Sequence, residues 1–239
     1  MLYYISMQNK LEEIFTSAGI NVNKNQIAQF IDYYNLLIEY NNKINLTAIT
    51  EPIEVIIKHF LDSVLPYKEL ELNATIIDIG TGAGFPLVPL KIIRPDLKIT
   101  LVDSLNKRIN FLNEVVKTLS LKDVTCIHSR AEDLATKIDF RQKFDYCVAR
   151  AVAKLNTLSE LTLPFIRIGG KLLAYKADFS EELASASKAL GVLGGKFEKT
   201  LSFELPQNMG TRNIIVIKKV SNTPQKYPRG ANKPKSNPL

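Results

Sequence analysis

Cysteine and histidine occur only twice each, and that scarcity removes whole classes of protein. Two thiols, Cys126 and Cys147, cannot build a disulfide framework or a structural zinc site, and no metal-ligand spacing occurs, so no metal is expected. Both lie in strand-like runs and read as buried reduced thiols. No uninterrupted apolar stretch approaches the roughly 20 residues that a bilayer-spanning helix needs, and no membrane partner is expected. The start, Met1 to Met7, lacks a basic n-region and a small-residue cleavage site, so no secretory signal is expected and the protein is assigned to the cytoplasm. Met7 is a second candidate start, with residues 1–6 as an unstructured leader. Internal repeats and low-complexity segments are also missing. With 239 residues, 46% hydrophobic and 23% charged, the chain has room for one α/β domain and an accessory element.

Acidic residues are missing from residues 205–239, which hold seven Lys and Arg; the net charge is +7, so the whole excess sits at this end. Beyond Ser221 come Pro224, Pro228, Pro234 and Pro238, and an extended or mobile tail is expected over 221–239. Such a tail either serves solubility or contacts nucleic acid. Lys226, Arg229, Lys233 and Lys235 are the RNA-binding candidates, since each can displace counterions from a phosphate backbone.

What is present is a glycine turn. Ile76-Ile-Asp-Ile79 runs into Gly80, Gly82 and Gly84, then Phe85-Pro86. A β-branched run that stops in glycines reads as a buried strand and a tight turn, where backbone takes positive φ or lies against a ligand. The dinucleotide fingerprint G-x-G-x-x-G fails, because Phe85 stands where its third glycine belongs. The spacing Asp-x-Gly-x-Gly-x-Gly resembles motif I of the class I S-adenosylmethionine-dependent methyltransferases. An ordinary strand-to-helix turn is the competing reading. The next strand, Lys98 to Asp103, ends in an acid about 20 residues past the glycines, the position of a ribose-binding carboxylate. Alone, Asp103 would read as an N-cap near Asn106.

Residues 1–70 are expected as an N-terminal helical extension, 71–220 as the methyltransferase domain. Ile27, Phe30, Ile31, Tyr34, Leu37 and Ile38 follow helical spacing, and Thr50 reads as an N-cap before Pro52 and a second stripe ending at Val64. The Asn-rich stretch between, including Asn45, is either a helix C-cap or a polar surface for substrate. From residue 75 strands alternate with helices: strands near 75–79, 98–103, 123–128, 144–149, 171–175, 197–203 and 213–219, helices near 87–94, 106–120, 131–137, 153–167 and 180–191. This pitch predicts a doubly wound, mostly parallel seven-stranded Rossmann-like α/β sheet, with the last two strands an antiparallel hairpin.

In such sheets ligands bind at the carboxyl ends of the strands. The candidates are therefore Gly80, Gly82, Gly84, Phe85, Asp103, Ser104, Ala131, Glu132 and Arg150 for the cofactor. Arg150, Arg130, Asn45 and His59 are candidates for substrate positioning. Glu132 also fits as a charge in a first helical turn, and His59 as a half-buried helix residue. The fourth strand lacks the Asn/Asp-Pro-Pro-aromatic motif of exocyclic amine methylation, and Cys147 sits mid-strand without the proline of a pyrimidine C5 nucleophile. An acceptor needing no deprotonation remains. Guanine N7, with its in-plane lone pair, is such an acceptor, and then no general base is required.

Asn45-Leu-Thr-Ala-Ile49, His59-Phe-Leu-Asp-Ser63, Asp78 to Pro86, Leu101 to Ser104, Lys107-Arg108, Arg130-Ala-Glu132, Ala149-Arg-Ala-Val-Ala153 and Lys226-Tyr-Pro-Arg229 occur in that order. Together they resemble the small-subunit ribosomal RNA methyltransferase G family, also called glucose-inhibited division protein B, from about residue 8 onward. The resemblance implies S-adenosylmethionine as cofactor and N7 methylation of one guanine in the decoding region of 16S rRNA. The partner is then 16S rRNA or the 30S subunit. It also implies cofactor contacts at Gly80, Phe85, Ala131, Glu132 and Arg150. A monomer is expected. The competing functions are a class I methyltransferase acting on a protein or small molecule, and a non-catalytic adenosyl-binding module.

Overall fold

A computed structural model describes residues 2–176 and 180–239. Two helices open the chain, α1 (Leu2–Ser17) and α2 (Lys24–Ile44). Asn23 and Gln26 close a reciprocal capping box on α2, which buries Ile27, Phe30, Ile31, Tyr33, Tyr34 and Leu37 on one stripe. Residues 2–6, expected as a leader, form the first turns of α1, and Met7 is buried. A further helical stretch runs through α3 (Pro52–Glu54), a π-helical segment (Val55–Leu61) and α4 (Asp62–Val64). Its cap is Glu51, without a side-chain bond, and Thr50, expected there, instead offers its carbonyl to the Tyr34 hydroxyl at 3.2 Å. Pro52 starts this helix unaided, because its fixed φ suits the first turn and it has no N–H to satisfy.

The strands and helices then alternate as β1 (Thr75–Ile79), α5 (Leu87–Ile93), β2 (Lys98–Asp103), α6 (Asn106–Thr118), β3 (Val124–His128), α7 (Ala131–Leu134), β4 (Phe144–Arg150), α8 (Leu155–Thr162), β5 (Ile166–Lys176), α9 (Ser180–Leu193), β6 (Gly195–Glu204) and β7 (Thr211–Lys219). The seven strands lie in the order β3-β2-β1-β4-β5-β7-β6, parallel through β5, with β7 antiparallel to both neighbours. One face carries the N-terminal helices with α5 and α6, the other α7, α8 and α9. The expected doubly wound α/β sheet and its antiparallel hairpin are both present. Most boundaries fall within three residues of expectation, and the largest difference lies between α8 and β5. The helix expected over 153–167 ends at Thr162, a 3₁₀ turn spans Leu163–Phe165, and β5 starts at Ile166 rather than 171. The apolar run there suits either period, and Pro164, which has no N–H, ends the helix.

Residues 221–239, expected to be extended or mobile, are packed down. The buried Lys219 ammonium donates to the carbonyls of Leu163 (3.1 Å) and Leu193 (2.9 Å) and to the Thr223 hydroxyl. Arg141 donates to the carbonyls of Thr223 (3.0 Å) and Tyr227 (2.9 Å), and Tyr227 is buried. A short helix, α10 (Lys233–Ser236), ends the segment against α8. Proline and lysine content measures only what the tail lacks internally; the cations and carbonyls that receive it come from elsewhere. Among the described residues no helix is long and apolar enough to cross a membrane.

Candidate active site

The strand order reverses between β1 and β4, and the residues after β1, β2, β3 and β4 meet there. The turn after β1 is fastened to β2 by backbone: Gly80 and Thr81 donate to the Val102 carbonyl at 2.9 and 3.1 Å, and Gly82 donates to the Asp103 carboxylate at 3.0 Å. Gly82 takes φ +61° and faces open space, whereas Gly84, at φ +98°, is crowded. A methyl group on Gly84 would sit 2.7 Å from Val88 and 2.8 Å from the Tyr33 hydroxyl, which donates to the Ala83 carbonyl. Gly82 therefore leaves room beside the turn, while Gly84 lets α2 pack against its back.

A cleft of about 180 Å³ opens above this turn, lined by Gly80, Asp103, Ser104, Arg130, Ala131 and Glu132 among others. Asp103 is 2% exposed; one oxygen holds Gly82 and the Arg108 guanidinium (3.2 Å), the other the Leu105 N–H (2.9 Å). The cap of α6 is Leu105, so the simple N-cap reading of Asp103 fails, and its second oxygen keeps acceptor capacity toward the cleft. Asp78 is fully buried beneath, both oxygens lacking a hydrogen-bond partner, as does the Thr81 hydroxyl. Burial pushes the Asp78 carboxyl up to about 8.

A second cleft, about 370 Å³, lies on the other side of the β4 terminus, lined by Lys58, His59, Asp62, Arg150, Tyr175, Lys176 and Arg212. Ala151 borders it while Val152 and Ala153 border the first, and Ala151 holds φ +58°, strained for a residue with a Cβ. The Arg150 guanidinium organises this cleft. It donates to Asp62 at 2.9 Å, to the Lys58 carbonyl at 3.1 Å and to His59 Nδ1 at 3.2 Å, and lies 4.9 Å over the Phe85 ring. His59 stacks on Phe85 at 4.4 Å. A guanidinium can only donate, so His59 Nδ1 accepts and its Nε2 carries the proton, donated to the Thr47 hydroxyl at 2.8 Å. Thr47 is itself set by Asn41, whose side-chain oxygen accepts the Leu46 and Thr47 N–H groups. Burial, with Arg150 adding to it, drops the His59 imidazole to about 3. His59 is thus a neutral brace whose lone pair is already used. Asp62 is pushed up by burial and pulled down by Arg150 and Arg212, the latter 3.4 Å away.

The expected cofactor residues Gly80, Asp103, Ser104, Ala131 and Glu132, with Arg130 at the lip, come together in the first cleft. Arg150 and His59 come together in the second, with Phe85 as their shared floor. Gly82 and Gly84 shape the turn and do not line either cleft. Asn45 is the left-handed C-cap of α2, at φ 50°, and lines neither; its helix-capping role displaces the substrate-positioning one. Among the tail candidates, Arg229 is committed to Glu160 (2.7 Å) and so is not free for a phosphate, and Lys235 lines the first cleft. Lys226 and Lys233 are exposed. Sequence reasoning assigned no role to Tyr33, Lys58, Asp62, Tyr175 or Arg212. Asp62, three residues after His59 on one helical face, was findable; Arg212, on the inserted β7, carried no local signal. Cys147 is fully buried with its thiol pushed well up by burial, which suits a core residue and no nucleophile. Among the described residues no cluster of three His, Cys, Asp or Glu could hold a metal.

Residues 26–214 match the family model described as GidB, rRNA small subunit methyltransferase G. The chain belongs to this methyltransferase G family. The match holds both clefts entire, apart from three residues of the tail in the first. Relatives named ribosomal RNA small subunit methyltransferase G include one from Lachnoclostridium phytofermentans, 53% identical over 93% of each chain. Another, from Lactococcus lactis subsp. cremoris, is 50% identical over 94% of this chain and 95% of that one. The fold is similar to M. jannaschii TYW2 in complex with AdoMet, with TM-score 0.52 at 15% identity over 66% of this chain and 77% of that one. It is also similar to a ribosomal protein L11 methylase from Lactobacillus delbrueckii subsp. bulgaricus, with TM-score 0.52 at 16% identity over 69% and 79%.

Proposed function

We propose that the chain transfers the methyl group of S-adenosylmethionine to N7 of a guanine in the decoding region of 16S rRNA. The observation that carries this reading is a second cleft whose imidazole is already engaged and whose carboxylate, Asp62, lies against Arg150 at 2.9 Å and Arg212 at 3.4 Å. Among the described residues the one imidazole lining the second cleft, His59, is fixed as a neutral donor to Thr47, with its lone pair taken by Arg150. An acceptor that arrives with its own in-plane lone pair is what such a site can serve.

The first cleft fits the cofactor on three counts. Gly80 brings backbone without a Cβ to the lining, where a methyl group would meet Val152 at 3.0 Å, and Asp103 has acceptor capacity for a pair of ribose hydroxyls. Asp78 and Thr81 leave buried polar atoms without partners, which the ammonium of an amino acid would satisfy. When bound, the cofactor supplies an electrophilic methyl on a sulfonium. The protein's own part is to hold and align. Ala131 and Glu132 pack and cap the adenine, Asp103 holds the ribose, and Arg150 and Arg212 meet guanine O6 and the neighbouring phosphates. Orientation of this kind is worth roughly 7–11 kcal/mol of barrier. The partner is the ribosomal small subunit or its RNA, which sets the work in the cytoplasm, and both clefts are built by one chain, which fits a monomer.

The test is incubation with methyl-labelled S-adenosylmethionine and either 30S subunits or naked 16S rRNA, then mapping of the modified base. Label on guanine N7 in the decoding region is the expected result. Label on protein, or on an exocyclic amine, overturns the reading.

A further inference from the structure

The cofactor cleft has one wall that the glycine turn, the strand ends and the family match do not supply. Asn232, Pro234 and Lys235, from the last eight residues of the chain, line it together with Ala131 and Glu132. The segment is locked there by a built contact. Glu160 is fully buried in α8, and its carboxylate receives the Arg229 backbone N–H (2.8 Å), Nε (2.9 Å) and Nη2 (2.7 Å). A charge at that depth is stable only with a dedicated partner. The Thr157 hydroxyl then donates to the Pro234 carbonyl at 3.0 Å, and Pro234 itself is buried.

We propose that residues 229–236 are part of the S-adenosylmethionine site. They close its nucleoside end, with the Arg229–Glu160 pair as the fastening and Asn232, Pro234 and Lys235 as the contacting wall. The basic residues of this segment then serve cofactor affinity rather than RNA affinity. The assignment rests on the first cleft being the cofactor site.

Calorimetry on the full chain, on a chain ending at Gly230, and on a Pro234→Gly/Lys235→Ala variant tests it. The ligands are S-adenosylmethionine and 5′-methylthioadenosine, which keeps the nucleoside and lacks the amino acid. The shortened chain keeps Arg229 and Glu160, so its core contacts survive. The expected result is a loss of about tenfold or more in affinity for both ligands in the shortened chain, and about threefold or more in the double variant. Full affinity in the double variant overturns the proposal, as does a loss confined to S-adenosylmethionine. If the shortened chain does not fold, the double variant decides. Failure of the full chain to bind S-adenosylmethionine brings down the cofactor reading itself, a separate result from an unaltered affinity in the variants.

Discussion

The two clefts flanking the end of β4 are built by opposite means. The first is mostly backbone and short side chains from consecutive turns, with a lining glycine, Gly80, and a carboxylate fastened by N–H groups. The second is made of long side chains delivered by five separate parts of the fold: the π-helical stretch, α4, β4, β5 and β7. A backbone cleft tolerates most side-chain changes around it. A cleft in which Arg150 alone bonds Asp62, Lys58 and His59 depends on one group.

That contrast is broken most directly at Arg150. Arg150→Ala removes the 2.9 Å partner of a buried carboxylate, and losing one member of such a pair costs about 3–5 kcal/mol. A fall of that size in urea denaturation is expected, with methyl transfer lost, and Arg150→Lys should not restore it because an ammonium cannot replace the fork. Retention of full stability would mean that the second cleft is not organised by this residue.

Asp78 probes the first cleft. Asp78→Asn should weaken S-adenosylmethionine binding by about 1.5–3 kcal/mol, the range for a hydrogen bond to a charged group. Its titration gives a second readout. Because the folded value, about 8, lies above the ordinary 3.8, the folded state holds the proton more tightly than the unfolded one. The stability it contributes is fully present below the unfolded value and is lost as pH rises through about 8. Ligand-free protein should therefore lose this stability between pH 5 and about 8 in urea titrations, and Asp78→Asn should lack that component. Pairing with an ammonium also needs the carboxylate, so binding below about pH 8 should release a proton, measurable by calorimetry in buffers of different ionisation heat.

Arg212→Ala separates the clefts. It should weaken rRNA binding about tenfold and lower the salt dependence by about one counterion, leaving cofactor affinity unchanged. The smallest effect is expected from Tyr33→Phe, which removes the hydroxyl donated to the Ala83 carbonyl behind the glycine turn. About 1 kcal/mol should be lost in denaturation, with the turn's cofactor affinity reduced only slightly.

The same contrast explains what could be read in advance. The first cleft is a sequence-local object: Gly80 follows β1, Asp103 ends β2, and Ala131 and Glu132 open the helix after β3, so period and spacing located them. Gly84 was readable as a glycine but not for its reason, since Tyr33 and Leu112 crowd it from other helices. In the second cleft His59 and Arg150 were picked out, but Arg212 sits on β7, whose pairing beside β5 is what carries it to the site. The tail failed for a related reason: its proline and lysine content indicated mobility, while Glu160 and Arg141 hold it through bonds across many residues.

The sequence by itself determined the alternating strands and helices, the turn that frees backbone for a ligand, and the acid one strand along, because these follow from period and near-neighbour spacing. Only the tertiary structure decided that His59 is a neutral brace, that Arg150 has three partners, and that the last residues of the chain wall the first cleft. Burial and charge pairing act between residues that the chain brings together only by folding, and no local pattern carries them.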